Sequence, residues 1–97
     1  MYFDREVQPI TRRQWYKLIK EPDYKIVKQT ELSNGKFVST VWLGLDHAVS
    51  DDQLPVIFEI VVFSNKNREK KEYLERHRSE YEALVEHEFI CECWSKL

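Results

Sequence analysis

The sequence has few of the residues that mark flexible loops, cross-links or membrane spans. Its 97 residues include two glycines, three prolines and two cysteines. With only Gly35 and Gly44, a glycine-rich phosphate-binding loop is excluded. The longest apolar run, residues 56–63, is interrupted by Glu59 and is far shorter than the ~20 residues of a membrane-spanning helix. No apolar leader follows Met1, so we expect a cytoplasmic protein without membrane contact.

Neither the two cysteines nor the charged residues indicate a disulfide or a nucleic-acid partner. A disulfide between Cys91 and Cys93, two positions apart, would close a strained loop, so we expect free thiols. The formal net charge is −2, and basic and acidic residues are interspersed, without the basic stripe of a nucleic-acid-binding protein. Nucleic acid is therefore not an expected partner. The 42% of hydrophobic residues and the chain length predict one domain over residues 1–97.

Two capping boxes predict two helices. Thr11 with Gln14 starts a short helix over residues 12–20, and Ser79 with Glu82 starts one over residues 80–94. For the segment before Ser79 two interpretations remain. Helix propensity favours one continuous helix from residue 69 to 94, whereas the second capping box favours a strand first, at about residues 72–78. We prefer the strand.

An antiparallel sheet is predicted around the turn Asn34-Gly35, which is typical of a two-residue type I′ hairpin. Counting from such a turn places Leu32 opposite Phe37 and assigns their side of the hairpin to the core. The sequence thus predicts an α+β fold in which both helices pack on one face of a sheet of three to four strands. The strands are residues 24–32, 36–45, 56–63 and about 72–78, with 56–63 inside the sheet because both of its faces are apolar.

The other side of the hairpin supplies the candidate binding residues. Val27 and Trp42 lie there, and the Glu59 side of the third strand is expected to join them in an exposed apolar face. Such a face is typical of a partner or homodimer surface, or of a platform that stacks a nucleotide or other small ligand. Glu59 itself is either a general base against an aromatic ring or, in the interpretation we favour, a structural partner of a basic side chain or of His47.

Two groups of residues have side chains of the types that bind metal ions. The loop with Asp46, His47, Asp51 and Asp52 holds oxygen and nitrogen donors, which a divalent ion or a metal-dependent enzyme would use, but such residues also serve as turn caps and solvated surface. His87 and Cys91 are spaced four apart on the second helix, as two zinc ligands would be, yet a histidine facing a sheet is more often a core residue. We expect no metal and no cofactor, and no catalytic residue is assigned.

Two runs of the sequence are distinctive: Val-Ser-Thr-Val-Trp-Leu-Gly-Leu-Asp-His at residues 38–47 and Pro-Val-Ile-Phe-Glu at residues 55–59. Mainly through these runs, most of the chain resembles a family of small proteins encoded by tailed bacteriophages and prophages, a family with no activity to transfer. An opening Tyr-x-Asp-Arg at Tyr2 and Ala-x-x-x-His-Glu at Ala83 complete the resemblance, whereas Ile60, Val61 and Glu86 depart from the family pattern. It implies an α+β fold and a phage setting.

These observations lead to one functional hypothesis and one alternative. The hypothesis is a non-enzymatic phage-type protein of the host cytoplasm that binds a host or defence-system protein and inhibits or redirects it. The alternative is a small-ligand or nucleotide-binding module in which Trp42 stacks on the ligand and Asp46 or His47 makes polar contacts.

Overall fold

The computed structural model describes residues 1–46 and 55–97, so His47, Asp51 and Asp52 of the predicted acidic loop lie outside the described residues. In chain order the elements are β1 (Tyr2–Phe3), β2 (Pro9–Ile10), α1 (Arg12–Ile19), α2 (Pro22–Lys25), β3 (Ile26–Glu31), β4 (Phe37–Trp42), β5 (Phe58–Phe63), β6 (Lys71–His77) and α3 (Glu80–Trp94). β1 and β2 form a small two-stranded sheet, and the other four strands form an antiparallel sheet in the order β3-β4-β5-β6. The predicted α+β class is confirmed, including the fourth strand and the interior position of β5.

The first capping box forms as predicted. The Thr11 hydroxyl accepts a hydrogen bond from the backbone N–H of Gln14 over 3.1 Å, and the Gln14 side chain accepts one from the backbone N–H of Thr11 over 2.9 Å. The prediction that a strand begins at residue 24 is wrong. Pro22 occupies the first position of α2, where its fixed φ and missing N–H suit a helix start, and the strand begins at Ile26.

The second cap separates β6 from α3. The Ser79 hydroxyl accepts from the backbone N–H of Glu82 over 3.1 Å, while the Glu82 carboxylate contacts His77 instead of completing the box. β6 ends at His77, three residues before α3 begins. The strand-then-helix interpretation is therefore right and the continuous helix is wrong.

The predicted hairpin turn is wrong by one residue. The Gly35 N–H donates to the Leu32 carbonyl over 2.9 Å, and the Leu32 N–H donates to the Lys36 carbonyl over 2.8 Å. Gly35, with φ +88°, is the turn residue in the left-handed region. This is a three-residue loop in which a type I turn precedes a left-handed glycine. Glu31 therefore pairs with Phe37, where the prediction had Leu32.

This difference of one residue leaves Leu32, directly after β3, in the core, as predicted, but reverses the assignment of the two faces in β4. In β4 the predicted exposed side, with Val38, Thr40 and Trp42, is fully buried. It continues in β5 as Phe58, Ile60 and Val62, which are paired with them across the strands. Because side chains alternate along a strand, a one-residue slip moves a whole set of side chains to the other face. The prediction that this face is uncovered is thus wrong.

α3 covers the buried face of the sheet through Ala83, His87 and Ile90. Leu84, Cys91 and Trp94 of α3 are partly buried. α1 contacts chiefly α2 and β1, and the indole N–H of Trp15 donates to the Leu43 carbonyl over 2.8 Å. Among the described residues, no helix lies across the opposite face of the sheet.

Trp42 joins the end of the sheet to the N-terminal elements. Its indole N–H donates to the Phe3 carbonyl over 3.0 Å, and its ring meets the Tyr24 ring edge-on at a centroid distance of 4.9 Å. Gly44, with φ +71°, lies so close that a Cβ placed on it would be 2.3 Å from Trp42 Cζ2. Gly44 thus supplies both the left-handed conformation and the space for the indole ring.

Gly44→Ala is expected to destabilise the fold more than Gly35→Ala. Both substitutions put a side chain at positive φ, at a cost of about 1–2 kcal/mol, but only Gly44→Ala adds overpacking against Trp42, of about 1–3 kcal/mol more. Gly35 is the matched control because nothing lies within 4 Å of its Cβ position. Urea unfolding of the two variants measures the difference, and equal losses would contradict the proposed packing of Trp42 on Gly44.

Candidate functional site

The predicted binding residues do not form one exposed face. Trp42 is 0% exposed, with both its ring and its N–H used in the core, so it cannot stack on a ligand in this fold. Val27 is half-buried against the same core cluster, at the irregularity between Ile26 and Lys28. Val27 thus packs against the cluster that contains Trp42, but the prediction that the two residues form an exposed binding face is wrong.

Asp46 and Glu59 have structural contacts. Asp46 Oδ1 accepts from the Val56 N–H over 3.2 Å and its own N–H donates to the Met1 carbonyl over 3.2 Å, so it ties the chain on both sides of residues 47–54. Glu59 lies on the face of the sheet away from α3, across from Arg76 of β6, whose Nε donates to its Oε2 over 3.2 Å. A basic partner for Glu59 is thus confirmed.

His87 is a core histidine. Its Nε2 lies 2.9 Å from the Thr30 hydroxyl and its Nδ1 lies 2.6 Å from the Thr40 hydroxyl. Two hydroxyls can each serve as donor or acceptor, so they satisfy a neutral imidazole completely. Burial lowers the pKa of His87, and it raises the pKa of the neighbouring Cys91 thiol. Within residues 1–46 and 55–97 no three His, Cys, Asp or Glu side chains gather as metal ligands would.

His77 has the opposite electrostatic environment. Its Nδ1 and Nε2 each lie 2.7 Å from a carboxylate oxygen, of Glu82 in α3 and of Glu75 in β6. Burial alone would lower the pKa of His77, but the hydrogen bonds to the two carboxylates outweigh it and the pKa is raised. A protonated His77 donates to both carboxylates and links the end of β6 to the first turn of α3.

The two histidines predict opposite pH dependences of stability. Below about pH 6.5 the unfolded chain protonates His87 while the folded chain resists, so stability is lost as the pH falls towards the lowered folded-state pKa. His77 contributes stability that is fully present below about pH 6.5 and is lost as the pH rises through its raised folded-state pKa. Glu88 and Lys28 are the charges that act on His87.

In a His77→Gln background, the free energy of unfolding should therefore fall between pH 7.5 and 5.5. Adding His87→Gln should flatten this dependence, because it removes the group whose pKa is lowered. His47 is present in both proteins, so its titration contributes equally to both slopes. Urea unfolding at five pH values gives the two slopes. Equal slopes would show that His87 is not the titrating group.

Two exposed features emerge that sequence reasoning missed. One is an apolar row on the outer side of α3, formed by Tyr81, Val85 and Phe89 and called here the α3 ridge. The spacing of four residues is visible in the sequence and could have revealed it. The other is a groove of about 340 Å³ on the sheet face away from α3, called here the sheet groove. Its walls come from distant segments, so no local pattern signals it.

No protein-family model matches the chain, and neither a curated protein nor a solved structure matches it. Within the described residues, no helix has both the length and the apolar character needed to cross a lipid bilayer.

Proposed function

We propose that the protein is a small binding protein without catalytic activity, and that its α3 ridge docks into an apolar cleft of another protein. The observation that carries this is the distribution of apolar residues around α3. They occur on the side that packs on the sheet and also on the side that faces water.

A helix that covers a sheet normally has one apolar and one polar side. α3 buries Ala83 and Ile90 against the sheet, yet Tyr81, Val85 and Phe89 are 81%, 50% and 59% exposed on its outer side. These three residues follow one another at every fourth position, so their side chains are neighbours on the helix surface. A row of this kind matches the anchor pattern of a helix that inserts into a hydrophobic groove.

The charge around the ridge indicates the chemistry of the partner. α3 contains five glutamates and no lysine or arginine. Four of the glutamates border the ridge: Glu82, Glu86, Glu88 and Glu92. Two of these form ion pairs, Glu88 with Lys28 and Glu92 with Lys96. The border remains net negative, so a cleft with a basic rim is complementary, whereas a second copy of α3 would bring like charges together.

Binding rather than catalysis is favoured by how the histidines outside residues 47–54 are used. Both ring nitrogens of His87 contact threonine hydroxyls, and both ring nitrogens of His77 contact carboxylates. Neither imidazole offers a free nitrogen as a general base, which would have to lie within hydrogen-bond reach of a substrate proton.

The phage-type resemblance supplies the setting of the proposal. In that setting the protein acts in the host cytoplasm, and the protein with the basic-rimmed cleft belongs to the bacterial host or to its defence systems. Occupation of the cleft by the α3 ridge would inhibit or redirect that protein by blocking its normal contacts. Self-association through the ridge is the competing outcome.

Replacing Phe89 by Ala should weaken binding to the partner by about tenfold or more, as expected for an aromatic anchor. The stability of the free protein should change by less than about 0.5 kcal/mol, because the ring is exposed. The partner is obtained with a photo-crosslinking amino acid at position 85, followed by mass spectrometry, and its affinity for wild type and Phe89→Ala is then titrated.

Tyr16 is the matched control, since it is also an exposed aromatic residue, 54% accessible, but lies on α1. A crosslinker at position 16 should not capture the same protein, and Tyr16→Ala should bind it normally. Capture from both positions, unchanged affinity of Phe89→Ala, or crosslinks between copies together with a dimer in sedimentation would each overturn the proposal.

A further inference from the structure

The sheet groove lies on the face that α3 does not cover, and it is independent of the α3 ridge. The α1–α2 corner closes one end with Ile19, Lys20 and Pro22. The other end is closed by Arg68, in the loop between β5 and β6, and by Lys71, the first residue of β6. Between them run the outward side chains of β3, β4 and β5. The volume of about 340 Å³ falls within the range of small-molecule sites.

The floor of the groove is apolar with one polar patch. Val41, Val61 and Phe63 form the apolar part, and the last two are buried. The polar part is Ser39, whose hydroxyl accepts from the Gln29 amide over 3.2 Å. Such a floor accommodates an apolar body and can orient it through a hydrogen bond.

The rim of the groove is cationic although the protein has a net charge of −2. It is lined by four cationic side chains, those of Lys20, Lys25, Arg68 and Lys71. No carboxylate of residues 1–46 or 55–97 forms an ion pair with any of the four. The one carboxylate in the lining, Glu59, is neutralised by Arg76. The groove therefore carries a net positive charge, and its four cations have no ion-pair partner among residues 1–46 and 55–97.

Arg68 is held in a conformation that is unusual for its residue type. Its φ is +59°, and its N–H donates to the Asn65 carbonyl over 3.0 Å. Its guanidinium carbon lies 5.9 Å from the centroid of the Phe37 ring and 6.0 Å from that of Phe63. A non-glycine residue in the left-handed region stores strain, and such residues concentrate at ligand sites. In this conformation the Arg68 guanidinium lies next to Phe63, at the edge of the apolar floor.

From these features we infer that the sheet groove binds a small anionic amphipathic molecule. Its carboxylate, phosphate or sulfonate group lies beside Arg68 and Lys71, and its apolar body lies on the floor formed by Val41, Val61 and Phe63, towards the α1–α2 corner. Acyl carboxylates and nucleotides share this chemistry. This site is distinct from the predicted platform at Trp42, which is on the other face of the sheet.

The probe for the test is 1-anilinonaphthalene-8-sulfonate, an aromatic sulfonate that fluoresces in apolar sites, compared with the uncharged N-phenyl-1-naphthylamine. We expect the sulfonate to bind the folded protein more tightly than the uncharged probe. Arg68→Asn, chosen because asparagine tolerates positive φ, and Lys71→Gln should each weaken sulfonate binding by about two- to fivefold, the size expected for one partly solvated charge.

Two further variants separate charge in the groove from charge elsewhere. Lys66→Gln is the matched control, because Lys66 lies exposed in the same loop but does not line the groove. It should leave sulfonate binding unchanged. Glu59→Gln should strengthen binding by about two- to fivefold, since it removes the negative charge and releases Arg76. Thermal unfolding of every variant confirms that the compared proteins are folded.

Competition identifies the source of the anion. Displacement of the sulfonate by decanoate assigns an acyl carboxylate, and displacement by adenosine 5′-monophosphate assigns a nucleotide. Displacement only by a hexaglutamate peptide would overturn the small-molecule inference in favour of an acidic protein segment. Equal binding of the charged and uncharged probes, no binding, or unchanged binding in Arg68→Asn and Lys71→Gln would also overturn it. Phe89→Ala should bind the sulfonate normally, which separates this site from the α3 ridge.

Discussion

The contact between α3 and the sheet, centred on the neutral imidazole of His87, is the interaction on which the rest of the structure depends. The imidazole is buried between the hydroxyls of Thr30 and Thr40, so hydrogen bonds hold α3 to β3 and β4. A charged imidazole there would be costly, because it would be buried with both ring nitrogens against hydroxyls and neither hydrogen-bonded to a carboxylate. Because α3 occupies this face, the other face of the sheet is left for the groove.

The same contact separates two surfaces of different charge. The α3 layer carries five glutamates, and the groove on the opposite side of the sheet is lined by four cations and one paired carboxylate. The net charge of −2 therefore conceals two local fields of opposite sign. Since electrostatic complementarity selects partners and speeds encounters, a basic-rimmed protein and a small anion would approach from opposite sides. The two proposed sites can thus be occupied together.

Several parts of the fold were predictable because their signals are local. The hydroxyl of Thr11 and that of Ser79 each reach a backbone N–H three residues ahead, so sequence spacing alone located both helix starts. The apolar character of both faces of β5 placed it inside the sheet. The basic partner of Glu59 was expected from chemistry, although its identity as Arg76 required the pairing of β5 with β6.

The candidate site was not predictable to the same extent. The error began at Asn34-Gly35, where the two-residue and three-residue turns use similar residues but differ by one position in register. In the observed turn the Asn34 side chain donates to the Trp94 carbonyl at the end of α3, a contact 60 residues away in sequence that no local pattern reveals. That single position exchanged the two faces of β4 relative to those of β3, and Trp42 therefore lies in the core instead of on the expected surface.

The sequence by itself determined the α+β class, the four strands of the main sheet and the starts of α1 and α3, because capping and periodicity act over one or two turns of chain. The strands β1 and β2 and the helix α2 were not among the predicted elements. Only the tertiary structure decided which face of the sheet α3 covers and which cations surround the groove. The α1–α2 corner and the loop carrying Arg68 are more than forty residues apart, and they meet only because β3 to β6 pair in order. Neighbouring residues of a strand point to opposite faces of the sheet, so a shift of one residue changes which face α3 covers. The packing of the whole domain therefore decides which face is buried.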